Sequence, residues 1–163
     1  MNIWEAEEVI DLAVSLGAFR FNTGQLMRLG TAAKLWDRLE PSKSEYSLFL
    51  SLLERKEWKL KDKIELCYKP FSIADEMAHR AIQPSGTLLI LPDGRVKVAA
   101  PLPWTCADLK TQNFLQAWES YKNAWADPRV RASLKNLAAD PSSAAKANEW
   151  VSLETSHNLP AMV

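Results

Sequence analysis

Cysteine and histidine are scarce in this 163-residue chain, with two of each. Cys67 and Cys106 form neither a disulfide framework nor a metal-ligand spacing, and read as reduced thiols of a cytoplasmic protein. His79 and His157 stand far apart, so a zinc site or a histidine-based triad lacks convergent material. Long apolar runs are missing: none approaches the ~18 residues of a membrane span. The opening MNIWEAEEVIDL is acidic and amphipathic, unlike the basic-then-apolar pattern of a secretion signal. An excess of charge of one sign is missing too. Twenty Lys and Arg balance twenty Asp and Glu, which removes a global electrostatic case for nucleic acid or an anionic membrane and leaves only a local patch. GxGxxG, P-loop, HExxH and GxSxG motifs are all absent, so no cofactor, metal or catalytic residue is predicted.

What is present describes a globular protein. The chain is 47% hydrophobic and 25% charged, with seven tryptophans, a residue that anchors cores and interfaces. With no repeat and no composition break, the expectation is one globular α+β domain over residues 1–153 and a loosely ordered tail over 154–163.

The central stretch is Thr87 to Pro103. Pro92-Asp93-Gly94 separates two apolar runs and supplies a preset φ, a side chain that bonds back to the backbone, and a left-handed residue, which predicts a β-hairpin over about 87–100. Leu88 to Leu91 is apolar on both faces, so this arm is expected to be covered on both sides. Upstream, helices are predicted from Asn2 to about Leu16, with Glu5 completing a capping box and Gly17 as the stop, from Asn22 or Thr23 to Leu39, and after Ser42 and Glu45. Trp58, Leu60, Ile64, Leu66 and Tyr68 alternate with mostly basic residues, which predicts a strand over 58–69 sharing a small antiparallel sheet with the hairpin. Ser72 and Asp75 open a short helix. Downstream, Thr105 and Asp108 are expected to cap a helix carrying Trp118, Tyr121 and Trp125. Asp127-Pro128 and Asp140-Pro141 each pair an N-cap with a proline at the first helical position. The fold class is α+β, with helices first, the sheet in the middle and helices packed on it last.

Two surfaces are candidates for function. Trp104 and the stripe Trp118, Tyr121 and Trp125, spaced i, i+3, i+7, supply aromatic anchors suited to a protein partner. Arg55, Lys56, Lys59, Lys61 and Lys63 fall within nine residues, and Arg95 and Lys97 lie on the second hairpin arm. On one sheet these would form a face for phosphates. The preferred expectation is a non-catalytic interaction or regulatory protein, such as an adaptor, inhibitor or assembly factor, that binds another protein. The alternative is nucleic-acid binding through the basic face around residues 55–63. An enzyme without a short motif would instead need a concave pocket holding a shifted carboxylate or the Cys67 thiolate.

Overall fold

The computed structural model describes residues 3–153. The expectations for Asn2, for His157 and for the 154–163 tail lie outside them. In chain order the helices are α1 (Ala6–Ser15), α2 (Gly30–Lys34), α3 (Trp36–Leu39), α4 (Lys43–Leu60), α5 (Ile73–Ile82), α6 (Phe114–Ala124) and α7 (Pro128–Ala139). The strands are β1 (Arg20–Asn22), β2 (Glu65–Cys67), β3 (Leu89–Ile90), β4 (Arg95–Lys97), β5 (Trp104–Asp108) and β6 (Val151–Ser152). The fold is α+β, with helices at both ends and two small sheets. Its contacts divide into two compact units, Met1–Leu26 with Leu35–Ile73, and Met27–Lys34 with Ala74–Val163.

In the first unit a 3-10 turn, Ile3–Glu5, leads into α1. The helix stops where predicted. Gly17 takes a φ of +75°, and the amides of Gly17 and Ala18 bond back to the carbonyls of Val14 and Ala13, a Schellman closure that needs a left-handed residue. β1 and β2 pair in parallel, Phe21 opposite Leu66. α4 starts on the expected capping box: Ser42 Oγ accepts from the Glu45 amide at 3.2 Å and Glu45 Oε2 accepts from the Ser42 amide at 2.7 Å. Ile10, Leu52, Leu53, Ile64, Leu66 and Tyr68 form the core.

Two expectations are corrected here. α4 continues to Leu60, so Trp58 and Leu60 are helical and the strand expected over 58–69 shrinks to Glu65–Cys67. The run Glu54-Arg55-Lys56-Glu57 consists of unbranched side chains that extend a helix at little entropic cost. The alternation survives beyond it: Ile64, Leu66 and Tyr68 are buried while Glu65 is exposed. The helix expected from Asn22 or Thr23 to Leu39 is replaced by β1, an extended segment, and the short α2 and α3. Phe21 and Asn22 are taken by the sheet, Thr23 N donates to the Cys67 carbonyl, and Gly30, with a φ of +52°, opens α2 instead of sitting in mid-helix.

The second unit is built on a four-stranded sheet in the order β3-β4-β5-β6, antiparallel except for the parallel β5-β6 pair. β3 and β4 form the predicted hairpin. Gly94 has a φ of +89°, and Asp93 Oδ1 accepts from the Arg95 amide at 3.1 Å. Its first arm is an edge strand, with Leu89 and Ile90 42% and 47% exposed. The expected cover on both sides fails because β4 takes the interior position. β2 pairs with β1, so the hairpin and the 65–67 strand belong to different sheets. Thr105 and Asp108 lie in β5, where Thr105, Cys106 and Ala107 are buried, and do not cap a helix. Asp108 accepts from the Lys110 amide at the turn that follows, and Asn113 with Gln116 forms the capping box of α6. Asp127 and Asp140 cap α7 and a 3-10 helix, Pro141–Glu149, each with proline at the first positions as predicted. α6 packs on β4 and β5, and α2 meets the 3-10 helix.

Replacing Ser42 by Ala removes one half of the capping box and is expected to lower stability by about 1 kcal/mol. Leu53→Ala, which empties a fully buried position, is expected to cost about 2–5 kcal/mol. Urea denaturation of the two variants beside the parent checks both values.

Candidate functional site

The aromatic residues expected to anchor a partner sit mostly inside the second unit. Tyr121 and Trp125 are buried and meet edge to face at 6.2 Å. Trp118 is half-buried and stacks on Tyr121 at 5.5 Å. Trp104 is half-buried as well: its Nε1 donates to Ser133 Oγ at 2.8 Å and the Arg129 guanidinium covers its ring. The helix stripe is therefore largely the face that α6 turns to the sheet.

The basic residues separate into two groups. Lys56 is buried, with its ammonium 3.0 Å from Glu7 and 2.6 Å from Asp11. Burial pushes its pKa down, but hydrogen bonds and charges from Asp11 and Glu7 outweigh that and the net shift is upward. It ties α4 to α1. Lys97 is buried on β4 and donates to the Ala100 carbonyl at 2.8 Å, and burial alone lowers its pKa. Arg95 is held by Asp93 and by the Trp150 carbonyl. Arg55, Lys59, Lys61 and Lys63 are exposed around the carboxyl end of α4. There Trp58, 79% exposed, forms a shallow depression with Ser51, Glu54, Arg55 and Lys59.

Cys67 shares a strand face with Glu65, whose Oε1 lies 3.4 Å from its Sγ. Burial, then the Glu65 hydrogen bond and charge, raise the thiol pKa against a smaller opposing effect of Arg20. An activated nucleophile needs the reverse. Among the described residues no three His, Cys, Asp or Glu side chains gather to hold a metal ion.

An apolar concavity lies in the first unit. A groove of about 440 Å³ is lined by Ile3, Ala6 and Val9 from the amino-terminal turn and α1, by Phe21, Gly24 and Leu26 after Gly17, by Leu39 and Pro41, and by Tyr46 and Phe49 of α4. That volume is within the ~300–1,000 Å³ range of ligand sites. Phe71 supports its aromatic wall, 5.8 Å from Tyr46 and 6.0 Å from Phe49 between ring centres. Among the described residues that line it, Glu5 is the charged one. Burial raises the pKa of Tyr46, the Leu26 backbone opposes this, and the charge of Glu40 adds to it.

Beside the groove α1 presents a ridge. Val9, which lines the groove, is followed at i+3 and i+7 by Leu12 and Leu16, 56% and 76% exposed, so the three share one stripe. Phe19 is exposed just beyond the helix. The inward stripe of α1, Ile10 with Ala13 and Val14, packs on the core. The outward stripe was missed, although Val9, Leu12 and Leu16 at helical spacing are the signal that could have found it. The groove had no such signal, since it joins four separate chain segments.

No protein family, no curated protein and no solved structure matches the chain.

The raised Cys67 pKa predicts slow alkylation. Its rate with iodoacetamide near pH 7 should be below that of a free thiol and should rise in Glu65→Gln, as followed by intact mass. Lys97 has the opposite linkage from Lys56. A lysine whose pKa is lower folded than unfolded makes the folded state more favourable as pH climbs from that lowered value toward the ordinary lysine range. Lys97→Met is therefore expected to raise stability near neutral pH by about 1 kcal/mol and to flatten that alkaline rise, read from urea midpoints at about pH 7 and about pH 9.5.

Proposed function

We propose that the protein is a non-catalytic interaction or regulatory protein that works by binding another protein. The groove of the first unit and the adjoining α1 ridge would form the contact. The observation that carries this reading is the apolar groove itself, bordered by a helix stripe that its own unit leaves uncovered. Interface cores concentrate this kind of surface, in which aromatic rings and aliphatic side chains surround few charges. The buried Tyr121 and Trp125 support the second unit from within, and the contact passes to residues of the first. An adaptor, an inhibitor and an assembly factor all fit, and the free thiols suit a cytoplasmic setting.

A second reading, single-stranded nucleic-acid binding, has one observation in its favour. Exposed Trp58 stands beside Arg55 and Lys59 with Lys61 and Lys63 nearby, a stacking ring among cations. It uses four of the seven basic residues first considered.

Capture of partners on the tagged protein, with nuclease added to one half of the lysate, separates the readings. The expected outcome is a stoichiometric protein partner that survives nuclease and is lost with Leu12→Lys/Leu16→Lys. Undiminished capture by that double variant would overturn the assignment to the groove and ridge. Loss on nuclease treatment, or on changing Lys59, Lys61 and Lys63 to Glu, would favour the second reading, whose affinity should also fall steeply with salt.

A further inference from the structure

The first arm of the hairpin is apolar on both faces and lies at the rim of its sheet. Leu89 and Ile90 point to opposite faces, as successive strand residues do, and both are exposed. Edge strands ordinarily carry a guard against pairing, which is a charge, a proline or a bulge. Leu88 to Leu91 has none of the three. Lys97, opposite Leu89, is buried with its ammonium on the Ala100 carbonyl and guards nothing. The register also fixes which main-chain groups are open. The Leu91 amide donates to the Arg95 carbonyl at 2.8 Å, and Ile90 lies opposite Val96. The alternation of an antiparallel ladder therefore turns Leu89 and Leu91 to β4, and turns the amide and carbonyl of Ile90 away from it, with those of Leu88 in the same phase. Among the described residues none bonds to these outward groups. β1 has an open side too, but its outward positions Arg20 and Asn22 are polar. At β3 open main chain and exposed apolar side chains coincide.

We propose that β3 is a dimer edge, on which β3 of a second copy of this chain pairs antiparallel about a two-fold axis at Leu89. This goes beyond the protein-binding reading and rests on the second unit alone. With Leu89 opposite its image, Leu88 of each copy faces Ile90 of the other. Those are the residues whose amides and carbonyls point outward, and the two pairs close four hydrogen bonds. Side chains meet in kind, Leu89 on Leu89 across one face and Leu88 on Ile90 across the other. Thr87 to Leu91 carries no charge, so the self-complementary contact sets no like charges together. The same features select this occupant. A polar extended peptide would bury its side chains against leucine and isoleucine, and a helix has no free main-chain groups to give the edge. The contact is short, below the ~1,200 Å² of a standing interface, so dissociation in the micromolar range or weaker is expected.

Sedimentation velocity on the whole chain, from about 5 µM to about 200 µM, should show a monomer passing to a dimer and no further. Leu89→Lys sets two ammonium groups together at the axis. Ile90→Pro removes an outward donor and leaves the ladder to β4 intact. Each is expected to weaken the dimer about tenfold or more. The register has its own readout. In a Cys67→Ser background, Leu89→Cys should form an intermolecular disulfide under mild oxidation, because non-hydrogen-bonded antiparallel partners stand ~4.5 Å apart at Cα. Thr87→Cys, about 13 Å or more from its own image in this register, should not. A chain still monomeric at about 200 µM, a dimer indifferent to both β3 variants, or Thr87→Cys crosslinking as fast as Leu89→Cys would overturn the proposal. Circular dichroism checks the fold, and if Ile90→Pro unfolds, Leu89→Lys at its exposed position decides. A dimer lost with Leu12→Lys/Leu16→Lys and kept with the β3 variants would move the interface to α1 and overturn it. So would a monomer whose capture of another protein fails in Leu89→Lys, because the edge would then serve a foreign strand.

Discussion

In a folding unit of roughly sixty residues, surface outweighs interior, and about two-fifths of what the unfolded chain exposes stays exposed. The first unit lives under that constraint. Its six core side chains come from α1, α4 and the segment around β2, and they hold those elements together with little to spare. A ten-residue helix such as α1 is marginal by itself. Its place depends on Ile10, Ala13 and Val14 facing the core and on Glu7 and Asp11 reaching Lys56. Once that side is committed, Val9, Leu12 and Leu16 have no inward position left, because a helix cannot turn two opposite stripes to one core. The uncovered ridge and the groove beside it follow from how few layers this unit has.

The ionisable groups show how far partners decide the consequence of burial. Lys56 and Lys97 are both enclosed, yet one meets two carboxylates and is held charged, while the other meets a carbonyl and is pushed toward the neutral form. Each has a structural place, which is why a count of lysines along the chain overstated the basic surface. Cys67 likewise is quieted by its surroundings, not activated.

Features whose cause is local were readable from the residues. The Ser42 and Glu45 capping box, the Schellman stop at Gly17, the two Asp-Pro helix starts and the Pro92-Asp93-Gly94 hairpin each depend on a few neighbouring positions. The errors arose where one spacing serves two structures. Trp58 and Leu60 continue the alternation of Ile64, Leu66 and Tyr68, but Trp58 is apolar without being buried, so it carried no information about a strand face. Thr105 and Asp108 have the spacing of a helix cap, and β5 claims them because the sheet needs a partner for β4. The groove was beyond local reasoning: Ile3, Phe21, Leu39 and Tyr46 are scattered over four segments, and only tertiary packing sets them around one opening.

The path of the backbone has a consequence of its own. Residues 27–34 belong with the later half of the chain, although residues on both sides of them belong with the earlier half. No single scission therefore yields two intact halves. A fragment ending near residue 73 would carry eight residues built for contacts it lacks, and one starting at residue 74 would be missing them. During synthesis the short segment emerges well before its eventual neighbours in the 3-10 helix, and must wait, tethered at both ends, until residues 141–149 are made. Dissection by cloning would have to excise and graft that segment, bridging Leu26 to Leu35 on one side and supplying residues 27–34 to the other.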